Sequence, residues 1–440
     1  MLASHEFGQL FLAVRATTGE TQQQLGIRCG LSAGRVSDVE RGQHHLRFGE
    51  VIARVAAGLD VPPGLISLGR SQPSSESASV DSDEDWAERS DYIAIVTAAA
   101  TGSRLYPELE RLDAMLPVRA EPVRRLHIGN ADVAAIEAIT DGFRRSDFAS
   151  GGGVCRAAAI AQLHQVRQLE KARCADPVRT RLLMATADLA MMVGWMSYDV
   201  DEHAAARRAW AFALKTAWQA RSHERSTDLA VDVLLDAAHQ ALHRQRPKEA
   251  LRLVQLAENT AADREQPISA ITRSYILVSL GWCRAALGQA QPCRRAMGEA
   301  LDALAAADPA TTPSWAWHVN DAEIAAQQGH ALFLLAQIHP RFAAGAVDQL
   351  HHAVNGYGEP FARSRAVNQA SLAAAHFYAG DIDAAVATGE AAVSAISRLN
   401  SPRAFARLQP IADAAGPFLR RSEVAGLCES IRAARSGAAS

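Results

Sequence analysis

Between Thr21 and Gly42 the chain sets out polar and apolar side chains at the spacing of two short helices around a tight turn. Thr21 can cap the first helix by accepting an N–H of its opening turn, and Leu25 lies where that helix would be buried. Gly30 suits the left-handed turn that follows. Ser32 can cap the second helix, in which Val36 and Val39 point inward while Ala33, Gly34, Arg35, Ser37 and Asp38 face out. A helix mounted in this way can lie in the DNA major groove. On that outer face only Arg35 can give a guanine two parallel hydrogen bonds, and Ser37 can reach a base or a phosphate. Arg41, Arg47 and His44 are placed for phosphate contacts, which position a protein without specifying sequence. The competing reading is a helical hairpin that only packs on its neighbours.

The remaining reactive residues are harder to assemble into chemistry. His239 and His243 stand four apart on one helix, a spacing that can bind a metal, but no third ligand accompanies them and the HExxH glutamate is missing. Packed or solvated histidines explain them better, and the adjacent pairs His44-His45 and His351-His352 point to different faces. Six cysteines are scattered without a CxxC spacing, as expected of reduced thiols rather than a disulfide framework. Gly151-Gly152-Gly153 has no strand before it and no Lys-Ser/Thr after it, so it reads as a turn between helices. There is no Gly-x-Ser-x-Gly elbow, Walker loop or dinucleotide fingerprint. The sequence therefore predicts no catalytic residues, no metal and no cofactor, and a protein that is not an enzyme.

These residues need elements to hold them, and composition indicates which. The chain has 440 residues, 48 % hydrophobic and 6 % aromatic, enough for two or three domains. Its alanine content and lack of β-branched alternation favour an all-α fold. No apolar run approaches a membrane span, and Met1 to Ala13 has Glu6 but no basic flank, so a cytoplasmic, nucleoid-associated location is expected. The net charge of −3 confines any DNA contact to a local surface. Residues 1–70 hold seven Arg against six Asp and Glu, so one module should bind weakly and a homodimer on an inverted-repeat operator is expected. The predicted organisation is a DNA-binding domain over 1–69, an acidic, Ser-rich disordered linker over 70–90, a helical block over 91–172 and a repeat domain over 173–437. Further helices are expected around Phe48–Ala57 and Pro63–Leu68, and in the block at Asp91–Ala100, Tyr106–Leu116, Asp132–Phe143 and Cys155–Leu169.

From about residue 177 a weak repeat runs to the C-terminus. Each unit has a small residue in a first helix, a turn, then small, bulkier and small positions in a second. Gly194 goes with Ala206, Trp210 and Ala213; Ala238 with Ala250, Val254 and Ala257; Gly281 with Cys293, Met297 and Ala300. Gly329 goes with Ala346, Leu350 and Ala353 if His339-Pro340 marks an insertion, and Ala373 goes with Ala385, Gly389 and Ala392. Five helix pairs are expected, followed by helices at Arg403–Ile411 and Glu423–Ala434. Small residues let paired helices approach closely, and the bulkier one fills the gap.

T-Q-x-x-L, G-L-S and V-S-x-V-E-R-G resemble the Cro-like (Xre family) helix-turn-helix over residues 6–68. The resemblance implies that Gln22 and Gln23 anchor to the phosphate backbone while the face of Ser32 to Asp38 reads base edges. Ala33, Gly34 and Asp38 depart from the Gln, Arg or Asn that relatives often carry there. The repeat resembles tetratricopeptide (TPR) units, though its spacing exceeds the ~34 residues of the standard repeat, so longer helices or loops are expected and HEAT-like pairs are the alternative. The whole plan, with F-R-R-S-D-F-x-x-G-G-G and G-W-M-x-Y-D between its halves, is similar to actinomycete Xre-type regulators. Phased as TPR units, Trp195, His239, Trp282, His330 and Ala374 fall on a concave inner wall, with Tyr198, Phe333, Phe377 and Tyr378 one turn further. Such a stripe could line a groove for a signalling peptide or small molecule, or could simply be packing between helices. The implied function is a dimeric, ligand-responsive transcriptional regulator; the alternative is a TPR scaffold that recruits a protein partner and uses the helix-turn-helix as a tether.

Overall fold

Where the sequence places N-caps and apolar periodicity, helices form. The computed structural model describes residues 11, 12, 15, 20–29, 31–41, 92–102, 127–262 and 267–438, and the chain divides into two units, Met1–Ala94 and Ile95–Ser440. In the first unit, α1 (Gln22–Cys29) and α2 (Ala33–Glu40) pack through buried Leu25, Cys29, Val36 and Val39. A helix α3 (Tyr92–Thr101) follows.

The second unit begins its main body with α4 (Asn130–Ser150) and α5 (Arg156–Leu169), then ten helices in five consecutive pairs. These are α6 (Asp176–Asp199) with α7 (His203–Gln219), α8 (Ser226–His243) with α9 (Pro247–Ala262), and α10 (Ala270–Ala286) with α11 (Ala290–Ala305). α12 (Asp321–Ala336) pairs with α13 (Ala343–Gly356), and α14 (Ala362–Ala379) with α15 (Ile382–Ile396). The result is a helical-repeat solenoid, and the fold is all-α as predicted. Among the described residues there is no strand, only an isolated bridge between His127 and Arg173.

The predicted partners within units meet. A Cβ on Gly194 would lie 2.4 Å from Trp210 Nε1, one on Gly281 2.6 Å from Met297 and one on Gly329 2.7 Å from Leu350. Paired helices thus touch where the first carries no side chain and the second carries a large one, in an interior as dense as a crystal. The turns inside the pairs repeat as well. Asp201, Gln245, Gly288 and Gly380 all have left-handed φ, between 58° and 81°. In each case the next residue's N–H closes on the carbonyl five back: Glu202 on Ser197, Arg246 on Ala241, Gln289 on Arg284 and Asp381 on His376, at 2.8–3.0 Å. This is the Schellman-type ending that satisfies orphan helix carbonyls. The fourth pair lacks it, because Pro340–Phe342 inserts a short 3-10 turn after His339, at the predicted insertion.

Two details differ from expectation. The helix predicted over Arg403–Ile411 is split into α16 (Pro402–Ala406) and α17 (Gln409–Ala415). Pro410 explains the break, since it has no N–H to continue a helix from above but fits the first turn of a new one. Asp132–Phe143 is the middle of a longer helix, α4, with Asp132 closing a cap on the Gly129 N–H at 2.9 Å. The last helix, α18 (Ser422–Ala438), covers α15, where a Cβ on Gly389 would meet Leu427 at 2.7 Å. The predicted helices at Phe48–Ala57, Pro63–Leu68 and Tyr106–Leu116, and the linker over 70–90, lie outside the described residues. Among the described residues no helix is long and apolar enough to cross a membrane.

Candidate functional site

The N-terminal candidate is the turn between α1 and α2. Thr21 Oγ1 accepts the Gln24 N–H at 3.3 Å while Gln24 Oε1 accepts the Thr21 N–H at 2.9 Å, a reciprocal cap. Ser32 Oγ accepts the Arg35 N–H at 3.2 Å and starts α2. The close approach at this turn falls on Gly26: a Cβ there would be 2.6 Å from the Leu31 carbonyl oxygen. The Leu31 N–H in turn donates to the Gly26 carbonyl at 2.8 Å. Sequence reasoning assigned the turn to Gly30, which lies outside the described residues, as do Gly42, His44 and Arg47.

Val36 and Val39 are buried, so α2 turns Ser32, Gly34 and Arg35 fully outward and leaves Ala33, Ser37 and Asp38 half-buried. Asp38 pairs with Arg41 at 2.8 Å, and Arg41 Nε also donates to the Ser37 carbonyl at 3.3 Å. Gln23 is exposed. Gln22 is not: its amide donates to Glu40 at 2.6 Å, and Arg15 grips the same carboxylate at 2.9 and 3.0 Å. Glu40, whose side chain is only 5 % exposed, thus ties α1 to α2 and fixes the angle at which α2 is presented.

A second candidate lies wholly within the solenoid. The first helices of the five pairs, with α4, the 3-10 turn Ser314–His318 and the α16 segment, enclose a cavity of about 960 Å³ including its mouth. No second helix contributes to its lining, as the phasing of the repeat predicts. Trp195, His239, Trp282 and His330 line it as a chain of edge-on rings with centroids 5.4, 4.6 and 4.7 Å apart. The other groove residues are placed differently. Tyr198, Phe333 and Phe377 are buried in packing, and Ala374 with them; half-buried Tyr378 stands against Phe333 at 5.8 Å. One turn beyond the stripe points into the helix stack, because a side chain there meets the neighbouring pair.

One wall is an ion-pair knot that joins the two mid-chain motifs. Arg363 donates to Asp147 and to Asp199 at 2.8 Å each, and Arg403 donates to Asp199 at 2.9 Å. Trp195 Nε1 reaches Asp147 at 3.1 Å, and the Gly152 N–H donates to Asp199 at 2.9 Å. The triple glycine is therefore a turn that lets backbone approach α6, where a Cβ on Gly152 would be 2.8 Å from Met196. Burial opposes ionisation of both carboxyls. At Asp199 Arg363 and Arg403 outweigh it and hold the pKa down to about 2. At Asp147, whose Oδ1 meets no donor, burial prevails and the pKa rises to about 6. Burial, followed by Arg403 and Arg407, holds His239 and His243 far below the usual imidazole range, so both stay neutral.

Sequence reasoning missed the charged lining: Asp232 and Asp236 on α8, Arg144 on α4, and Arg363, Arg403 and Arg407. A signal was present on α8, where Asp228, Asp232, Asp236, His239 and His243 recur at helical spacing along a stretch otherwise rich in Leu, Val and Ala. A polar stripe on a helix buried nearly all round must face either a partner or a cavity. Asn368 also lines the cavity, whereas Asn320 caps α12 and Asp321 meets His352 at 2.6 Å.

A family model described as a helix-turn-helix domain matches residues 6–68. The chain carries an N-terminal helix-turn-helix domain, the domain of a DNA-binding regulator. No curated protein and no solved structure matches the chain.

Proposed function

We propose that this is a dimeric Xre-type transcriptional regulator that reads an inverted-repeat operator through α2 and answers to a peptide or small molecule held in a TPR-like array. The observation that carries the reading is α2 itself, capped by Ser32 and seated by Val36 and Val39, within the span that matches the helix-turn-helix family. In this account Arg35 contacts a guanine, while Gln23 and Arg41 contact phosphate. Gln22 positions α2 through Glu40, and its remaining amide hydrogen serves the phosphate contact. With so little net positive charge in residues 1–70, two reading heads are needed for specific binding. The array supplies the dimer contact and the sensor. A ligand alters DNA binding only by favouring one arrangement of the array over another. The protein carries out no catalysis and works in the cytoplasm.

The test is an electrophoretic shift of DNA from the protein's own upstream region, with Arg35→Ala and Gln22→Ala as variants. A specific shift that Arg35→Ala removes supports the reading. Equal binding of unrelated DNA, lost together with the specific shift at moderate salt, leaves only counterion release and contradicts it. It would leave the chain as a scaffold for a protein partner.

A further inference from the structure

The knot around Arg363 uses up most of the charge in the cavity wall, but two carboxyls on α8 remain outside it. Asp228 is engaged, accepting the Ser269 N–H at 2.9 Å, the Ser269 hydroxyl at 2.9 Å and the Thr272 hydroxyl at 2.6 Å. Asp232 and Asp236, one and two turns on, are 6 % and 9 % exposed and line the cavity. Neither has a hydrogen bond or ion pair among the described residues. The nearby cations are taken: Arg144 by Asp188 and Asp141, Arg363 by Asp147 and Asp199, Arg403 by Asp199. Arg407, the remaining cation of the lining, meets His330 Nε2 at 3.4 Å.

An unpartnered polar group in such a place is costly, and proteins rarely leave one without a purpose. The cavity these two carboxyls line also has aromatic walls, Trp195, Trp282, Trp315 and Tyr275. Five further lining atoms, Asp147 Oδ1, His239 Nε2, Trp315 Nε1, Arg363 Nε and Arg407 Nε, are buried without a partner among the described residues. Carboxylates beside indole and phenol rings recognise ammonium groups, by ion pairing and by attraction to the ring faces. Among the described residues no group of three or more His, Cys, Asp and Glu is placed to hold a metal ion, so an organic cation fits the site better than a metal.

We propose that the cavity binds an organic amine, its ammonium group held between Asp232 and Asp236 and its apolar body against Trp195, Trp282 and Trp315. The inference rests on the reading of the array as a sensor and names the class of its ligand. Burial pushes Asp232 up to about 7, against the pull of Arg144 and with Asp228 and Asp188 adding to it. Burial, followed by Asp232 and Asp147, raises Asp236 well above the usual carboxylate range, against Arg144 and Arg403. Both carboxyls thus carry protons more readily when the cavity is empty of cation, and an ammonium group must displace them. Binding near neutral pH should release protons, and affinity should rise from pH 6 to pH 8.

The experiment is isothermal calorimetry on the full chain with three probes of one shape: tryptamine, indole-3-ethanol and indole-3-propionate. Tryptamine is expected to bind at least ~10-fold more tightly than either comparator, a difference of about 1.4 kcal/mol. The double variant Asp232→Asn, Asp236→Asn should lose that preference while unfolding as cooperatively as the parent. Binding of the neutral or anionic probe alone, no binding of any probe, or an unchanged preference in the double variant overturns the proposal. A DNA shift with and without tryptamine separates the two levels of the claim. Carboxylate-dependent binding that leaves the shift unchanged keeps the amine site and removes the sensor reading. A shift altered by a comparator but not by tryptamine keeps the sensor and removes the amine.

Discussion

On α2, Asp38 and Arg41 stand 2.8 Å apart with both side chains about half exposed; in the solenoid, Arg363 and Asp199 stand the same distance apart with 2 % and 0 % exposed. The geometry is alike and the consequences are opposite. The first pair is screened by water and salt, contributes at most about 1 kcal/mol, and can exchange its partner for a phosphate. The second is locked, because removing either member strands a buried charge. The α2 pair therefore stays available to an outside partner, while the array locks the knot and leaves Asp232 and Asp236 without a partner among the described residues. Availability of charge, rather than its amount, separates a surface that binds from a wall that holds the fold.

The sharpest way to break this contrast is Arg363→Ala. It leaves Asp147 and Asp199 buried with less compensation and should destabilise the second unit by about 3–5 kcal/mol, read as a large fall in thermal midpoint. A change below about 1 kcal/mol would mean that the knot is as soft as the surface pair. Next comes Gly26→Ala, whose Cβ would press on the Leu31 carbonyl. It should cost the reading head about 1–3 kcal/mol and abolish the DNA shift, while the main unfolding transition of the array stays in place.

Asp232→Asn probes the unmatched carboxyl. Its folded pKa of about 7 lies above the ordinary value of 3.8. Its contribution to stability is therefore fully present below about pH 4 and is lost as the pH rises through 7. The variant should flatten that decline and gain on the order of 1 kcal/mol over the parent at pH 8, measured by denaturant titration across pH. Parallel pH curves for the two proteins would show that the carboxyl has found a partner. The smallest effect is Asp38→Ala. It should change stability by less than about 0.5 kcal/mol, yet tighten non-specific DNA binding a few-fold at low salt, an advantage that fades as salt rises.

Much of the fold was legible because local signals agreed. Thr21 and Ser32 cap the helices they were expected to cap. The small residues at 194, 281 and 329 meet Trp210, Met297 and Leu350, since a missing side chain and a large one must face each other for helices to close. The rings at 195, 239, 282 and 330 share a wall because one repeat position maps to one face. Tyr198, Phe333 and Phe377 looked equivalent but are packing residues, since one turn of a helix separates groove from interface and spacing alone does not tell which. The ion knot was not legible. Asp147, Asp199, Arg363 and Arg403 come from four separate segments, and nothing local in the sequence joins them. Pro410 was a readable break inside an expected helix that its flanking apolar residues obscured.

The proposed function turns on α2 reading a specific DNA sequence through Arg35, in a protein that binds as a pair. Selection of bound duplexes from a random DNA library by the full chain tests it directly. The expected result is enrichment of a two-fold-symmetric motif with half-sites about one helical turn apart, and loss of one position's preference in each half-site for Arg35→Ala. Recovery of unenriched sequence, or of the same motif with the Arg35→Ala protein, would contradict it.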